Sequence, residues 1–319
     1  MFILQAFKPE NKFWKYILGC FIVILASFAG QIPLGIVIAV KAMARGGSMP
    51  TNEAQMYKFM DLNLTLFLVL LSFAIGLLGL LLVVKNLHKQ KIRELITSRP
   101  KVDWKRFFFA FVIWGLFSVV STVVAYFIAP EDYVVQFDPT KFALLFVIAI
   151  IMIPIQTSTE ELLFRGYLMQ GLGLLARNRW LPLVVTSIVF GAMHLFNPEV
   201  EKMGPLISIY YIGTGFCLGI MTLMDEGTEL SLGFHAANNL VAALLVTADW
   251  TALQTNSILK DTSDPSAGLE IILPLVIVYP ILLFIFAKKY KWSGWKEKLT
   301  GKIVLPELET TNPNYKNNE

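Results

Sequence analysis

The stretch FALLFVIAIIMIPIQTSTEELLFRGYL, residues 142–168, decides how the whole chain has to be interpreted. It begins as an apolar run long enough to cross a bilayer, which takes about 20 residues. Near its end, Glu160, Glu161 and Arg165 place three charges within six residues. A charged side chain at the bilayer centre costs on the order of 2.5–3.5 kcal/mol on insertion scales. We therefore expect these charges to be paired or to belong to a functional site.

The rest of the composition is also that of a membrane protein. Of the 319 residues, 55% are hydrophobic and only 16% are charged, far from the balance of a soluble domain. The pattern predicts an all-α, polytopic membrane helical bundle of about eight transmembrane helices. The predicted helices, of which the fifth and seventh are short, lie at about 16–40, 62–84, 107–128, 142–172, 182–196, 205–224, 230–247 and 269–287.

The distribution of charge predicts the orientation in the membrane. Eight Lys and Arg residues lie between Lys85 and Arg106, and seven Lys follow Phe286, whereas 129–140 holds three acidic residues and no basic one. Basic loops face the cytoplasm, so both termini are predicted to be cytoplasmic. We interpret this charge as a topology signal and predict a multi-pass protein of the cell membrane, with lipid contacts and no nucleic-acid partner.

The chain divides into three predicted parts. Residues 1–141 form N-terminal transmembrane helices and a basic cytoplasmic loop, 142–247 form a core, and 248–319 form a final transmembrane helix and a basic cytoplasmic tail. The first apolar run is too long for a signal-peptide core, so we expect it to be retained. Cys20 and Cys217 lie in apolar stretches and are predicted to be packing residues.

Helical geometry distinguishes the two adjacent carboxylates. Glu161 and Arg165 are spaced i, i+4, with the acid first, which is the better orientation for an ion pair on one helix face. Glu160 points about 100° away from Glu161, and we expect it to have no partner on its own helix. An unpaired intramembrane carboxylate lies either at the edge of the membrane, in contact with water, or in a functional site.

Two histidines add to this pattern. His194 and His235 lie in or at the ends of apolar helices, the first four residues after Phe190 and the second four residues before Asn239. Counted at about 1.5 Å per residue from the predicted cytoplasmic ends, Glu160 and His194 lie about 20 Å deep and His235 about 10 Å deep. Each residue taken alone also has a structural explanation, as interhelical hydrogen bonding or packing.

Three sequence motifs occur in order on three apolar helices. EELLFR (160–165) fits E-E-x-x-x-R, FGAMH (190–194) fits F-x-x-x-H, and HAANN (235–239) fits H-x-x-x-N. In this order they resemble the CPBP family of intramembrane proteases, which includes CAAX prenyl endopeptidases and bacteriocin-processing enzymes. The resemblance covers about 142–247 and identifies that segment as a CPBP-like catalytic core. Other intramembrane protease signatures, such as H-E-x-x-H and G-x-S-x-G, are missing from the sequence.

The resemblance implies a role for each motif residue. Glu160 would activate a water molecule with the assistance of His194, while His235 and Asn239 would stabilise the oxyanion. Glu161 and Arg165 would form a supporting ion pair. The chain is thus predicted to be a hydrolase that cleaves a peptide or protein substrate.

The sequence leaves metal dependence open. Glu160, His194 and His235 together also make the two-histidine, one-carboxylate shell of a catalytic zinc site. The same side chains cannot serve at once as permanent zinc ligands and as free base and oxyanion donor. We favour the metal-free mechanism, because an Asn beside the second His suits an oxyanion site.

Two other functions compete with the protease. The first is a non-catalytic bacteriocin-immunity or regulatory membrane protein that binds a partner through the same cavity. The second is a transporter, since buried charges also mark ion paths. The complete set of motifs favours the enzyme, and the lack of a recognisable inverted repeat disfavours the transporter.

Overall fold

A computed structural model describes residues 1–8, 11–47, 49–50, 53–265 and 268–304 of the chain. The end of the predicted basic tail, 305–319, lies outside the described residues. Within these ranges the α-helices are α1 (Phe13–Ala44), α2 (Glu53–Phe59), α3 (Leu62–Leu82), α4 (Ile92–Ile96), α5 (Trp104–Ile128), α6 (Pro139–Glu161), α7 (Met169–Ala176), α8 (Trp180–Met193), α9 (Pro198–Met203), α10 (Ile207–Asp225), α11 (Glu229–Leu245), α12 (Leu269–Leu273), α13 (Tyr279–Tyr290) and α14 (Trp295–Thr300).

Three π-helical segments extend one of these α-helices or join two of them into a continuous helix. Val83–Leu87 continues α3, Leu162–Leu168 joins α6 to α7, and Pro274–Val278 joins α12 to α13. The second segment makes Pro139–Ala176 a single helical tract of 38 residues. This tract carries the first sequence motif.

Each of the eight predicted apolar stretches corresponds to a helix, although the end of the seventh, from Val246, is a strand. Six of the described helices are long and apolar enough to cross a membrane. Helices α8 and α11 are shorter, and they correspond to the fifth and seventh stretches. The prediction of a helical membrane bundle is therefore confirmed, while eight crossings and cytoplasmic termini stay predictions, as does the division into three parts.

The outer helices expose apolar side chains. Phe21 on α1, Leu116 on α5 and Phe284 on α13 are each more than half exposed. Lipid tails are as apolar as these side chains, so a membrane bundle has no reason to bury them. Their exposure marks the surface that faces lipid.

One cluster of the protein core, rich in aromatic rings, joins five α-helices and the π-helical segment Leu162–Leu168. Trp114 of α5, Phe190 of α8, Phe234 of α11 and Tyr279 of α13 are all buried in this cluster. Cys217 of α10 lies in the same cluster, whereas Cys20 of α1 is half-buried, and both cysteines are free.

The basic loop, residues 85–106, is folded against the ends of α10 and α11. Arg99 pairs with Asp225 at 2.9 Å and with Glu229 at 3.0 Å, and Arg106 pairs with Asp225 at 2.5 Å. Asp225 and Glu229 are buried at the junction of the two helices. These ion pairs fix where α11 begins.

A small sheet lies at the other end of the bundle. Its strands, β1 (Tyr133–Val135), β2 (Val246–Ala248) and β3 (Leu259–Asp261), have the order β1-β3-β2. β3 pairs antiparallel with β1 and parallel with β2. The sheet was not predicted, because strands of three residues carry too little periodicity to be recognised. It joins the loops that follow α5 and α11.

Candidate active site

Glu160 and Glu161 end α6, and the π-helical segment begins at the next residue. Single turns of π-helix are rare and often occur at functional sites. The wider turn here still leaves Arg165 facing Glu161, with a distance of 3.0 Å between Arg165 Nη1 and Glu161 Oε1.

The Glu161–Arg165 pair is completely buried, with no exposure of either side chain. Arg165 also donates through Nη2 to the carbonyl oxygen of Gly215 on α10, at 3.1 Å. Its guanidinium carbon lies 4.3 Å from the centre of the Phe190 ring, which is a cation–π distance. The arginine thereby connects α10 and α8 to the tract that carries both glutamates.

His235 contacts both glutamates. Its Nδ1 lies 2.9 Å from Glu161 Oε1, and its Nε2 lies 3.4 Å from Glu160 Oε2. An ionised carboxylate only accepts hydrogen bonds, so Nδ1 carries the proton. Glu161 therefore fixes the orientation of the imidazole and points Nε2 at Glu160.

Glu160 differs from its neighbour in the partner of its Oε1 atom. Oε1 accepts a hydrogen bond of 2.7 Å from Nε2 of Gln156, one turn earlier on α6. Among the described residues, Oε2 of Glu160 has no hydrogen-bond partner, and the same holds for Oε2 of Glu161. The expectation that Glu160 has no partner on its own helix is wrong, because it considered only charged partners and overlooked an amide at i−4. That amide, the first polar residue after the apolar run 142–155, was a signal available in the sequence.

His194 lies where α8 ends and a 3₁₀ turn begins. Its Nδ1 is 2.7 Å from the carbonyl oxygen of Phe190, and a carbonyl only accepts, so Nδ1 donates. The lone pair of the neutral ring is then on Nε2. The ring also stacks on Tyr211 of α10, with centroids 4.5 Å apart and planes 26° apart. Tyr211 was not predicted, since its contact with His194 depends on how α8 and α10 pack.

Phe190 lies between the two imidazoles. Its ring centre is 4.7 Å from that of His194 and 6.0 Å from that of His235. The side chain is 3% exposed. This ring therefore sets the spacing between the second and third motifs.

Asn239 extends the site along α11. Its Nδ2 donates to Oε1 of Gln156 at 3.0 Å, and its Oδ1 accepts from Asn238 Nδ2 at 3.0 Å. The structure thus brings the first and third motifs into direct contact. Phe190 of the second motif packs beside His235, whereas His194 contacts Phe190 and Tyr211.

The candidate metal ligands do not form a complete shell. Glu160 Oε2 and His235 Nε2 approach each other at 3.4 Å, but the described part of the chain holds no group of three His, Cys, Asp or Glu side chains placed to hold a metal ion. A catalytic zinc site needs three protein ligands. The arrangement fits a hydrogen-bonded acid–imidazole site better than a zinc shell.

The fold and these side chains define a class: a helical membrane protein with a buried glutamate–histidine site. Residues 139–241 match the family described as type II CAAX prenyl endopeptidase Rce1-like. Over 249 residues, the chain is 30% identical to the uncharacterized protein YyaK of Bacillus subtilis (strain 168), covering 76% of this chain and 81% of that protein. No solved structure gives a significant match.

The chain belongs to the Rce1-like family. This family consists of integral membrane endopeptidases. The chain is therefore a member of a CAAX-type membrane peptidase family, and the resemblance to the CPBP family found in the sequence is confirmed.

Proposed function

We propose that the protein is an intramembrane endopeptidase in which Glu160 activates the water that cleaves a peptide bond. His194 orients this water, and His235 and Asn239 stabilise the oxyanion. The observation that carries the proposal is the position of Glu160 Oε2, which faces His235 on the more exposed of the two glutamates. This oxygen has no hydrogen-bond partner in the described part of the chain and lies 3.4 Å from an imidazole whose orientation is fixed.

The same contacts separate the roles of the two glutamates. Glu161 is fully buried and already binds Arg165 and His235. The Glu160 side chain is 16% exposed, and because its Oε2 atom is buried, the proposed role requires a water molecule to enter the site beside Oε2. Of the two carboxylates, only Glu160 has an exposed part of its side chain, which favours it as the general base.

The water would be held by two acceptors. Oε2 of Glu160 takes one of its protons, and the lone pair on Nε2 of His194 accepts a hydrogen bond from the other. Nδ1–H of His194 donates to the Phe190 carbonyl. The lone pair is therefore on Nε2, as the binding of this water requires. Holding the water in line with the carbonyl carbon lowers the entropic part of the barrier.

Two donors would face the oxyanion. Asn239 uses one amide hydrogen for Gln156 and has a second one to give. His235 can donate from Nε2 only when both ring nitrogens are protonated, since Nδ1–H is already bonded to Glu161. The charge of Glu161 balances the doubly protonated ring. Donors in a site with little water stabilise a developing negative charge strongly.

The reaction then balances as follows. The water oxygen bonds to the scissile carbonyl carbon while Oε2 of Glu160 takes a proton, which gives a tetrahedral oxyanion. The protonated Glu160 returns that proton to the leaving nitrogen as the carbon–nitrogen bond breaks. The products are a carboxylic acid and an amine, and Glu160 is regenerated. No step depends on a metal.

The substrate proposed is a peptide segment presented from the lipid phase. The site lies within apolar helices, and the family's description names CAAX prenyl endopeptidases. We propose the cell membrane as the location.

Glu160→Gln tests the proposal. Cleavage of internally quenched CAAX-terminated peptides, farnesylated and unmodified, is measured in liposomes that contain the purified protein. We expect the substitution to lower kcat about a hundredfold to ten-thousandfold, the range for loss of a general base. Glu201→Gln, at an exposed glutamate of α9, serves as the matched control and should cleave like the wild type.

Two results would contradict the proposal. Cleavage by Glu160→Gln at the wild-type rate would remove Glu160 from the chemistry. A wild type that binds these peptides without cleaving them would favour the non-catalytic alternative.

A further inference from the structure

A chain of side-chain hydrogen bonds runs from α5 to the catalytic carboxylate. Trp114 Nε1 donates to Asn238 Oδ1 at 3.1 Å, and Asn238 Nδ2 donates to Asn239 Oδ1 at 3.0 Å. Asn239 Nδ2 donates to Gln156 Oε1 at 3.0 Å, and Gln156 Nε2 donates to Glu160 Oε1 at 2.7 Å. This hydrogen-bond chain crosses from α5 through α11 to α6.

Both ends of this chain impose the same direction on it. An indole N–H can only donate, and an ionised carboxylate can only accept. Between them, each of the three amides accepts from the side remote from Glu160 and donates toward Glu160. Turning over any one amide would place two donors or two acceptors face to face. The orientation of Gln156 is therefore fixed by its partners on both sides.

Hydrogen bonds that point the same way along a chain strengthen one another. The final bond ends on a charged acceptor, and bonds of this kind are shorter and roughly twice as strong as neutral ones. Gln156 is 5% exposed, so water competes little for its amide. The bond to Oε1 stops rotation of the Glu160 carboxylate and leaves Oε2 facing His235.

We propose that Gln156 is a positioning residue that sets the carboxylate of Glu160 and the amide of Asn239 at a fixed spacing. The inference rests on the proposed function, because it assigns a role toward the base and one oxyanion donor. Gln156 lies outside the three motifs, and it contacts one residue from the first motif and one from the third.

The first test needs no substrate. The difference between the infrared spectra of the wild type and Glu160→Gln, both at pH 8, isolates the carboxylate bands of Glu160. The nearby charged or titratable groups, His235, Glu161 and Arg165, are unchanged in both proteins. We expect Gln156→Met, which keeps the side-chain length and removes the donor, to shift the Glu160 bands.

Gln170→Met is the matched control. Gln170 is also a buried glutamine on the same helical tract, and it bonds to Gln90 and to the carbonyl of Glu94 rather than to the site. We expect its replacement to leave the Glu160 bands unshifted. Gln156→Glu, which is nearly isosteric, provides a second substitution for the case in which Gln156→Met does not fold.

The second test is kinetic. We expect Gln156→Met to lower kcat for the quenched peptide by about tenfold to a hundredfold with little change in KM, since small misplacement of reacting groups has effects of this size. Gln156→Glu places a second carboxyl group against Glu160, and two adjacent carboxylates resist ionising together. Its activity should therefore fall at neutral pH and recover in part at higher pH.

Failure of this inference differs from failure of the proposed function. If Glu160→Gln is inactive while Gln156→Met keeps the infrared bands and the cleavage rate of the wild type, only the role of Gln156 is overturned. Equal losses in Gln156→Met and Gln170→Met, with unshifted bands in both, would also overturn it. An active Glu160→Gln would overturn the proposed function itself.

Discussion

Glu160 and Glu161 are chemically identical neighbours, and the helix gives them different surroundings by turning about 100° between them. Glu161 points into the protein, where Arg165 and His235 compensate its charge. Glu160 binds Gln156 through one oxygen and faces His235 Nε2 with the other. A buried carboxylate that lost its partners would face a large desolvation cost, so the arginine is needed wherever Glu161 stays ionised.

Arg165→Met tests this dependence. Removing one partner of a buried ion pair leaves an uncompensated charge, which costs about 3–5 kcal/mol. We therefore expect a large fall in Tm of the purified protein, measured by scanning fluorimetry. The double variant Glu161→Gln/Arg165→Met should regain part of that loss, because neither charge then remains alone.

The pair Lys202–Asp264 provides the control. Its atoms are 2.7 Å apart, but its side chains are 45% and 87% exposed. Exposed pairs contribute about 0–1 kcal/mol, so Lys202→Met should hardly change Tm. Equal effects of Arg165→Met and Lys202→Met would show that burial of the ion pair has no energetic importance.

At the scale of helices, the site depends on the close approach of α8 and α10. A Cβ atom added to Gly215 would lie 2.8 Å from the carbonyl oxygen and 2.9 Å from the Cα of Ser187, both backbone atoms of α8. Small residues at such contacts let membrane helices approach closely. Gly215 also provides the carbonyl that accepts from Arg165, so this spacing controls the position of the arginine.

Gly215→Ala should therefore separate α8 from α10 and weaken the site. Overpacking of this kind costs about 1–3 kcal/mol, and we expect both Tm and peptide cleavage to fall. Gly35→Ala on α1 is the matched control, since a Cβ there would meet nothing within 4 Å. A Gly215→Ala protein as stable and active as Gly35→Ala would mean that the helices accommodate the methyl group.

At the scale of the whole molecule, His88 ties the N-terminal segment to the motif tract. It is 1% exposed, with Nδ1 2.8 Å from Asn11 Oδ1 and Nε2 2.8 Å from the Tyr167 hydroxyl. In the neutral ring, Nδ1–H donates to the amide oxygen, and the Tyr167 hydroxyl shares its one hydrogen between Nε2 and the carbonyl oxygen of Lys15, 3.2 Å away. Burial, with a smaller contribution from Lys15, lowers the pKa of His88 to about 4.

This shift predicts how stability depends on pH. An unperturbed His has a pKa of about 6.5, so between about pH 6.5 and 4 the unfolded chain binds a proton that the folded protein does not. The contribution of His88 to the free energy of unfolding is therefore complete above pH 6.5 and falls as the pH is lowered through this window. We expect the Tm of the wild type to fall more steeply from pH 7 to pH 5 than that of His88→Gln, which has no titrating ring. Parallel Tm curves for the two proteins would contradict the assignment.

Much of the fold was predictable from the sequence because lipid imposes simple rules. A helix that crosses a bilayer must be long and apolar, and each of the eight stretches recognised in this way corresponds to a helix. The three-residue strands were not predictable, because a segment so short has no recognisable period. The basic loop was interpreted only as a topology signal, yet its Arg99 and Arg106 are paired with buried acids.

The sequence by itself determined that Glu161 and Arg165 share a helix face, since this follows from spacing along the chain. It also predicted, through the resemblance to the CPBP family, that three motifs carry the chemistry. Only the tertiary structure decided that His235 lies between the two glutamates, that Phe190 separates the imidazoles and that Gln156 connects Glu160 to Asn239. These contacts depend on distances between different helices, which the packing of small residues and aromatic rings sets and which no periodicity along one helix encodes.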